Sequence, residues 1–339
     1  MKTIRVEDAV GSVLAHDMTR IIPGRFKGVG FKKGHVVAAA DIPELLKMGK
    51  SHLYVLELLP EDLHEDQAAL RIAAAVSGPN LAWGSPCEGK SSIQSTCEGL
   101  LRVNIAGLRG INQIGDLILA TLKTGTPCRR GQTVAATRII PLTISRALIE
   151  ALEALAAKAA PVLEITPYRR MRFGGLVTGS ELHAGLIQDE FDRYVGQKAQ
   201  DYGCTFVRKI IVPDDPGRIA AALGELVDLG CELILTTGGL SVDPDDVTRM
   251  GVRLAGAEVI AYGSPILPGA MFLYARLGET QILGLPACVY YHPTTVFDLM
   301  LPRVLAGEPI TRETIADMGH GGLCLGCPEC RYPVCPFGP

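Results

Sequence analysis

The chain has 339 residues, 20% of them charged, a formal net charge of −3 at pH 7, and 10 cysteines. This length exceeds one ordinary hydrophobic core and suits two or three domains. The nearly balanced charge gives no reason to expect nucleic acid or an anionic membrane surface as a partner. We find no apolar run long enough for a signal peptide or a membrane span, and the cysteines are scattered until the tail, so a cytoplasmic, reducing location is expected.

The first half of the chain predicts two small domains. In chain order, its pattern predicts a helix near residues 42–48, a strand at 53–56, a helix at 67–76, a β-rich stretch ending near Thr137 and a helical connector at 144–160. We assign residues 1–59 to a small α+β domain. Residues 60–165 are assigned to an auxiliary domain that combines a helix, β-rich segments and the connector.

From residue 166 the pattern changes to strands that alternate with helices. The strands are predicted near residues 175–177, 205–212, 233–236, 259, 271–275 and 281–285. Asp215 is expected to cap the helix after the second strand, and Pro216 to open it, because a proline at the first helical position loses no hydrogen bond. The alternation predicts an α/β domain at residues 166–310, with a three-layer, mainly parallel sheet.

A double-glycine turn joins a buried strand to a helix between Glu232 and Asp246. Its glycines, Gly238 and Gly239, can adopt backbone angles that bring amide hydrogens close to a ligand. Asp245 or Asp246 is positioned to cap the helix that follows. The expected inward face of that helix consists of Val247, Met250 and Leu254. This order of strand, glycine turn and acidic helix start is typical of an anion-binding loop.

Three acidic residues each follow a predicted strand by a few positions: Glu181, Asp214 and Asp246. Ligands of wound α/β sheets lie at the carboxyl ends of the strands, so we expect all three to surround one crevice. Carboxylates there can bind Mg²⁺ or orient a hydroxyl group. Taken singly, each has an ordinary interpretation as a helix cap, a turn residue or an exposed residue. Taken as a set, they indicate a site.

These motifs resemble the molybdopterin-binding domain shared by MogA-type adenylyltransferases, MoeA-type molybdotransferases and CinA-type proteins. The turn that starts at Thr236, with Asp246 seven positions after its second glycine, is similar to the family pattern T/S-x-G-G-x6-D. Further matches, in the family's order, are V-T-G-S-E-L at residues 177–182 followed by Gly185, Ile187 and Asp189, then I-V-P-D-D-P at 211–216, and G-L-P at 284–286. The resemblance covers residues 173–307 and implies the family's α/β fold.

The resemblance also implies roles for individual residues. Those implied to bind the pterin and its phosphate are Thr178, Gly179, Thr237, Gly238, Gly239, Ser241 and Pro286. Those implied for the chemistry, by holding magnesium or positioning the reacting group, are Glu181, Asp214 and Asp246. Molybdopterin or its adenylate is the implied ligand or substrate, with molybdate as a second substrate. A homo-oligomer is implied as well, because a partner subunit completes the active site of MoeA-type proteins.

The chain departs from the MoeA-type pattern at three places. The family's P-G-K-P becomes P-G-A-M at residues 268–271, so the lysine that can hold an anion is absent. The later G-L-P-G-N-P becomes G-L-P-A-C-V at residues 284–289, where Cys288 either faces a ligand or is a small buried residue. The D-G-Y-A signature of the auxiliary domain is absent from the first half, so the residues that complete the family's site are not carried over.

The tail, residues 311–339, carries the pattern C-x2-C-x2-C-x4-C-P. Its cysteines are Cys324, Cys327, Cys330 and Cys335. Four thiolates in so short a span can reach one tetrahedral ion or cluster. The spacing is one residue longer than the ferredoxin-type run, and no second cysteine set exists for a complete ferredoxin domain. The sequence favours a metal, either zinc or an iron–sulfur cluster with His320 as a spare ligand, over free or disulfide-paired thiols in a flexible terminus.

The function predicted from these features is transfer at molybdopterin during molybdenum cofactor biosynthesis, either adenylation of its phosphate or exchange of adenylate for molybdate. Backbone donors and a metal ion would stabilise the charge that develops on phosphate. Two alternatives stay open. The same glycine loop would suit a CinA-like nucleotide pyrophosphatase, whereas the absent lysine favours a non-catalytic cofactor carrier or sensor.

Overall fold

The computed structural model describes residues 2–55, 61–241, 243 and 246–338. The chain divides into two compact units. The first comprises Met1–Cys97, Arg102–Leu122 and Arg129–Ile165, and the second Glu98–Leu101, Lys123–Cys128 and Thr166–Pro339. Within the described ranges, every helix is too short or too polar to span a bilayer.

The first unit combines short antiparallel strands with helices. The strands up to residue 167 are β1 (Lys2–Arg5), β2 (Met18–Ile22), β3 (Phe26–Phe31), β4 (His52–Val55), β5 (Asp62–His64), β6 (Leu81–Trp83), β7 (Lys90–Ser95), β8 (Gly99–Val103), β9 (Leu117–Thr121), β10 (Pro127–Cys128), β11 (Thr133–Ile139), β12 (Thr143–Ser145) and β13 (Leu163–Pro167). The helices are α1 (Ile42–Lys47), α2 (Glu65–Val76), α3 (Ile105–Asn112) and α4 (Arg146–Lys158). Along the chain, the boundaries between the units fall after Cys97, within β8 after Leu101, after Leu122, after Cys128 and within β13 after Ile165.

Strands β6, β7, β11 and β9 form a four-stranded antiparallel sheet in that order, and α2 packs against it. The other antiparallel pairs of this unit are β1 with β4, β2 with β3, and β5 with β12. A separate small core forms near the start of the chain from Val6, Ala9, Leu14, Met18, Val37, Leu45 and Leu53. The helix and strand predicted near residues 42–48 and 53–56 correspond to α1 and β4, with residue 56 outside the described ranges.

The stretch predicted to be β-rich also contains a helix, α3, which sequence reasoning missed. Asn104 caps it, because its side-chain oxygen accepts a hydrogen bond from the Gly107 amide at 2.9 Å. A Cβ on Gly107 would come within 2.7 Å of the Ala159 side chain, just beyond α4. Gly110 faces Leu155 of α4. Small residues therefore allow α3 to pack closely against α4, and such residues do not appear in a hydrophobic pattern.

The second unit is built around a six-stranded sheet. Its strands are β14 (Arg172–Thr178), β15 (Thr205–Val212), β16 (Leu233–Thr237), β17 (Glu258–Tyr262), β18 (Leu273–Leu277) and β19 (Thr280–Leu285). Its helices are α5 (Ser180–His183), α6 (Gln197–Asp201), α7 (Pro216–Asp228), α8 (Thr248–Leu254), α9 (Val296–Leu305) and α10 (Arg312–Asp317), with a π-helix at Asp192–Gly196 and a 3-10 turn at Ala287–Tyr290. The bounds of β15 are those expected from sequence.

The strand order is β15-β14-β16-β19-β18-β17. Strands β15, β14, β16 and β19 are parallel to one another, whereas β18 and β17 continue the sheet with antiparallel pairing. The unit is thus a mixed α/β structure whose site-forming half is parallel.

Helices cover both faces of this sheet. Successive side chains of a strand point to opposite faces, so Leu233 and Leu235 of β16 belong to one core cluster and Ile234 to another. The first cluster includes Phe191, Val195 and Ala199 from the connection to β15, and Phe297 and Met300 from α9. The second includes Ile219, Leu223 and Leu226 from α7 and Val252 from α8. Burial on both faces explains why β14, β16 and β19 are largely apolar, whereas the edge strand β15 carries Arg208 and Lys209.

Helix α8 buries a different face from the one predicted. Met250 and Leu254 are 61% and 63% exposed, whereas Val252 is fully buried. Val247, the third residue of the predicted face, is partly buried against the same cluster as Val252. Gly251 lies so close to α7 that a Cβ would collide with Ile219. Gly251, which has no side chain, allows this face of α8 to pack against α7. Hydrophobic periodicity therefore assigned the wrong face of the helix to the core.

Candidate functional site

Four loops leave the sheet at one edge. In the parallel registers, Thr178 lies beside Val212, Val177 beside Thr237, and Thr237 beside Leu285. The chain segments that follow β14, β15, β16 and β19 therefore start next to one another. We call this the loop edge. The residues that the sequence assigned to catalysis and to pterin binding lie in these four segments or at the strand ends that begin them.

The connections between the strands predict a crevice at this edge between β14 and β16. The chain leaves β14 for helical residues on one face of the sheet, where Val195 is buried. It leaves β16 for α8 on the opposite face, where Val252 is buried. Neighbouring parallel strands whose connections leave toward opposite faces open a crevice at their carboxyl ends, and this is the usual ligand site of an α/β sheet.

The double glycine brings the loop after β16 against the end of β14. Gly238 and Gly239 have φ of 90° and 56°, values that favour glycine. A Cβ on Gly238 would collide with the Thr178 carbonyl oxygen, and one on Gly239 with the Thr248 hydroxyl. These glycines are therefore required for the two loops to interlock, in addition to the ligand contact that the sequence suggested for them.

Buried threonine hydroxyls hold the interlocked loops. Thr248 Oγ1 donates to the Gly238 carbonyl at 2.9 Å and lies 2.9 Å from Thr178 Oγ1, within hydrogen-bonding distance. The Thr248 amide donates to the Gly239 carbonyl at 3.1 Å. Thr178 and Thr248 are both buried. The turn is thus preformed by internal hydrogen bonds. Sequence reasoning missed Thr248, although a threonine two positions after Asp246 was the available signal.

Two tyrosines fasten the strand end and the loop. Tyr290 Oη donates to Thr237 Oγ1 at 3.0 Å, and burial raises the pKa of Tyr290, so it remains a donor. Tyr262 Oη donates to the Leu240 carbonyl at 2.6 Å. The Arg249 guanidinium lies 4.5 Å from the centroid of the Tyr262 ring, which is cation–π geometry. Arg249 thereby brings a positive charge to the glycine loop, a feature not anticipated from the sequence.

Asp214 is bonded to the loop that carries Glu181. Its Oδ2 accepts from the Ser180 amide at 2.8 Å and from the Ser180 hydroxyl at 3.0 Å. Glu181, the next residue, is exposed. These contacts bring the segments after β14 and β15 together. Asp215 caps α7 as predicted, because its Oδ1 accepts from the Arg218 amide at 2.8 Å.

Asp246 does not cap α8, contrary to the prediction. Its Oδ2 accepts from the Asp243 amide at 3.0 Å, and its own amide donates to the Asp243 carbonyl at 3.0 Å. Helix α8 begins at Thr248 after Val247 and has no side-chain cap. Asp245, the other predicted cap, lies outside the described residues. Asp246 therefore closes its own loop, which starts at the carboxyl end of β16.

The remaining predicted residues border the same edge. Pro286 is buried directly after β19, Gly179 follows β14, and Ser241 is exposed in the glycine loop. Cys288 is half-buried, and burial raises the pKa of its thiol. A thiol with a raised pKa is a weak nucleophile at neutral pH, which supports the structural interpretation of Cys288 over a reactive one.

An ion-pair cluster links the segment after β14 to β15. Lys209 Nζ lies 2.6 Å from a carboxylate oxygen of Asp189 and 2.6 Å from one of Asp192. Burial acts to lower the pKa of Lys209, but the hydrogen bonds to the two carboxylates outweigh it and raise that pKa. Asp189 belongs to the segment that resembles the family. Its partner lies on the neighbouring strand, so sequence spacing did not reveal the pair.

The cysteine tail folds onto the second unit. The Cys324 amide donates to the Leu267 carbonyl at 2.8 Å, and the Leu267 amide donates to the Gly322 carbonyl at 2.7 Å. Phe337 is buried in the same core cluster as α9. These contacts hold the tail at both ends of its cysteine pattern. The tail is therefore packed against the rest of the unit, and the alternative of a flexible terminus is not what the structure shows.

A cavity of about 240 Å³ opens within the tail. Its lining includes Cys324, Cys327, Cys330 and Cys335, together with His292 and Thr294. Thr294 Oγ1 lies 3.1 Å from Cys330 Sγ. All ten cysteines are within the described ranges, and none of them forms a disulfide. His320, the expected spare ligand, does not line this cavity. In the part of the chain that the structure describes, no three His, Cys, Asp or Glu side chains are placed to hold one metal ion.

Comparison with known proteins identifies part of the chain. Residues 174–306 match the family model described as a probable molybdopterin binding domain, and residues 3–57 match a domain of unknown function, DUF8806. A molybdopterin molybdenumtransferase from Synechococcus elongatus is 28% identical over 187 residues, 52% of this chain and 42% of that protein. A CinA-like protein from Geobacter metallireducens is 36% identical over 109 residues, 32% of this chain and 26% of that protein. The chain thus spans less than half the length of either relative.

Two solved structures give low similarity scores. The molybdopterin biosynthesis enzyme MoaB from Thermus thermophilus has a TM-score of 0.34 at 22% identity, over 41% of this chain and 98% of that chain. The molybdopterin biosynthesis MoeA protein from Pyrococcus horikosii has a TM-score of 0.34 at 14% identity, over 90% of this chain and 74% of that chain. The assignment therefore depends on the sequence match, which runs from β14 to the end of α9. Residues 174–306 of this chain therefore match the molybdopterin-binding domain family, whereas the rest of the chain lies outside that match.

Proposed function

We propose that this protein binds molybdopterin or its adenylate in the crevice between β14 and β16, and that it transfers adenylate or molybdate there during molybdenum cofactor biosynthesis. One observation carries the proposal: the preformed double-glycine loop at the carboxyl end of β16, interlocked with Thr178 of β14. It lies within the residues that match the molybdopterin-binding family.

The loop offers donors suited to a phosphate. Backbone amides of a glycine turn can approach an anion closely, so Gly238 and Gly239 would donate to the phosphate of the pterin, assisted by the Ser241 hydroxyl. Arg249, held on the Tyr262 ring, would supply positive charge that the alanine at position 270 does not. The pterin itself would lie against Thr178, Gly179, Thr237 and Pro286, the other residues implied by the family pattern.

The acidic residues would organise the reacting groups. Glu181 and Asp214 would hold Mg²⁺ against phosphate oxygens, since oxygen ligands are the ones this ion prefers. Asp214 is already oriented by two hydrogen bonds from Ser180. Asp246 would position the group that attacks or leaves. In either transfer, the Mg²⁺, the Arg249 guanidinium and the backbone donors would stabilise negative charge that develops on the phosphate in the transition state.

Two other functions have specific support. The CinA-like relative aligns over about a third of the chain at 36% identity, which favours hydrolysis of a nucleotide diphosphate at the same loop. The alanine at position 270 favours a cofactor carrier or sensor without turnover. Incubation of the purified protein with molybdopterin and ATP, with adenylated molybdopterin and molybdate, or with ADP-ribose separates the three. Transfer of adenylate or molybdate would support the proposed function, and hydrolysis of ADP-ribose would support the pyrophosphatase. Pterin that is retained without any turnover would support the carrier or sensor.

The association state and the location of the protein remain predictions. Sedimentation of the purified chain tests the homo-oligomer that the resemblance implies, and microscopy of the tagged chain tests the cytoplasmic location that the composition predicts.

The binding proposal is tested with full-length protein purified without oxygen from a cell that makes the cofactor. Pterin is measured by fluorescence after oxidation, and molybdenum by elemental analysis. Asp246→Asn should reduce the pterin retained per chain by about tenfold, the effect of one lost charge-assisted contact. The matched control is Asp228→Asn, an exposed carboxylate at the far end of α7. Equal pterin in the two variants would remove Asp246 from the site, and a chain that retains no pterin and binds none when it is added would refute the proposal.

A further inference from the structure

We infer that the cysteine tail binds a [4Fe–4S] cluster through Cys324, Cys327, Cys330 and Cys335. The inference goes beyond the proposed function and does not depend on it. It rests on the fold of the tail, on the cavity within it and on the positions of the four thiols around that cavity.

The tail is a built structure rather than a loose end. Cys324 and Cys335 pack against the core cluster of the second unit, whereas Cys327 and Cys330 are exposed. Between the first two cysteines, Gly326 adopts φ of 63°, a value that favours glycine and turns the chain there. The four thiols therefore line one cavity of about 240 Å³ although they span twelve positions of sequence.

The arrangement fits a cluster better than a single ion. A tetrahedral zinc site draws four ligands to about 2.3 Å from one centre, which would leave no cavity among the sulfurs. In a [4Fe–4S] cluster each iron takes one protein thiolate, and inorganic sulfides complete its coordination. Four thiols spaced around a cavity meet that requirement.

The surroundings of the thiols also suit a cluster. The cavity is largely lined by apolar groups, including Leu325, Pro336 and Phe337. Thr294 Oγ1, 3.1 Å from Cys330 Sγ, can donate a hydrogen bond to the thiolate. Hydrogen bonds to the sulfurs and exclusion of solvent are the means by which proteins stabilise such clusters and set their potential.

The test uses the full chain, purified without oxygen. Iron, acid-labile sulfide and zinc are measured per chain, together with visible absorbance before and after reduction with dithionite. We expect about four iron and four sulfide per chain, and absorbance that dithionite bleaches. Cys327→Ser and Cys330→Ser should each reduce iron and sulfide severalfold. Both side chains are exposed, so the fold should persist. Cys87→Ser is the control, because Cys87 is exposed and does not line the cavity.

Three outcomes would overturn the inference. One is a single zinc per chain without sulfide, lost in Cys327→Ser. Another is iron and sulfide that are unchanged in both tail variants but lost in the control. The third is wild-type protein that takes up neither iron nor zinc. If the serine variants do not fold, reconstitution of the wild-type chain with ferrous iron and sulfide, compared with zinc alone, decides between cluster and ion. Pterin content is measured in parallel, so failure of the cluster is distinguishable from failure of the proposed function.

Discussion

The loop edge of the sheet and the cysteine tail use their polar groups in opposite ways. At the loop edge, the hydroxyls of Thr178 and Thr248 and the carbonyl of Gly238 bond to one another. In the tail, four thiols line a cavity, and the contact found for Cys330 is with Thr294. Where polar groups satisfy each other, the sequence specifies a rigid scaffold to which a ligand adds. Where potential ligating groups instead surround a cavity, they are available to bind a ligand directly.

This difference predicts how the two regions respond to substitution. Changes at the loop edge should alter the free energy of unfolding as well as ligand binding, because the same hydrogen bonds serve both. Changes of the exposed tail cysteines should alter metal content with little effect on the fold. Changes of the apolar residues that hold the tail should again affect stability.

The largest effect is expected for Gly238→Ala. The new Cβ would collide with the Thr178 carbonyl at a φ of 90°, so the loop and β14 must separate. We expect a loss of about 3 kcal/mol or more in the free energy of unfolding, measured by urea denaturation. Gly256→Ala is the matched control: its φ is 85° and no atom lies within 4 Å of the added Cβ. That change should cost only about 1–2 kcal/mol. Equal losses would show that the loops do not interlock as described.

Phe337→Ala is expected to have the next largest effect. Phe337 is 4% exposed and its ring centroid lies 6.3 Å from that of Tyr332. We expect a loss of about 3 kcal/mol, the low end of the usual range for a buried phenylalanine. Thermal denaturation measures it. Val334→Ala, at a side chain that is 84% exposed, should change stability by less than about 0.5 kcal/mol. A Phe337 variant as stable as the Val334 variant would contradict the anchored tail.

Tyr290→Phe should cost about 1 kcal/mol, because it removes the hydrogen bond to Thr237 and leaves that buried hydroxyl with one partner fewer. Tyr291→Phe is the neighbouring control, since Tyr291 is 81% exposed. The difference between their denaturation midpoints isolates the contact at the end of β16. If both variants match the wild type, Tyr290 does not stabilise the loop edge.

Ser180→Ala should have the smallest effect, about 0.5 kcal/mol, because the Ser180 amide still donates to Asp214 after the hydroxyl is lost. If Asp214 contacts the ligand, the amount of pterin retained per chain should also fall, although the free energy of unfolding changes little. Ser180→Thr keeps a hydroxyl and should restore retention. A stability loss without any change in pterin would indicate that Asp214 acts only as a structural partner of α5.

The sequence predicted the strands of the second unit better than its contacts. Continuous apolar runs mark strands buried on both faces, so β16 was located to within one residue. Asp215 was recognised as a cap because its bond to the Arg218 amide is local. The inward face of α8 and the whole of α3 were missed, because Gly251 and Gly107 pack closely without side chains. Glycines contribute nothing to hydrophobic periodicity.

The candidate site was likewise only partly accessible from sequence. The residues after each strand could be listed because ligands of α/β sheets lie at the carboxyl ends of the strands. The Thr248 and Tyr290 contacts, however, join segments tens of residues apart. The Asp246 bond to Asp243 replaced the expected cap, since a short acidic side chain can bond to either neighbour and only the loop path decides.

The most direct test measures pterin per chain in three preparations purified identically: wild type, Asp246→Asn and Cys327→Ser. We predict that Asp246→Asn retains about tenfold less pterin than wild type, whereas Cys327→Ser retains as much, because the pterin is bound at the loop edge and not by the tail. Wild-type levels in Asp246→Asn, or a loss in Cys327→Ser as large as that in Asp246→Asn, would contradict this assignment.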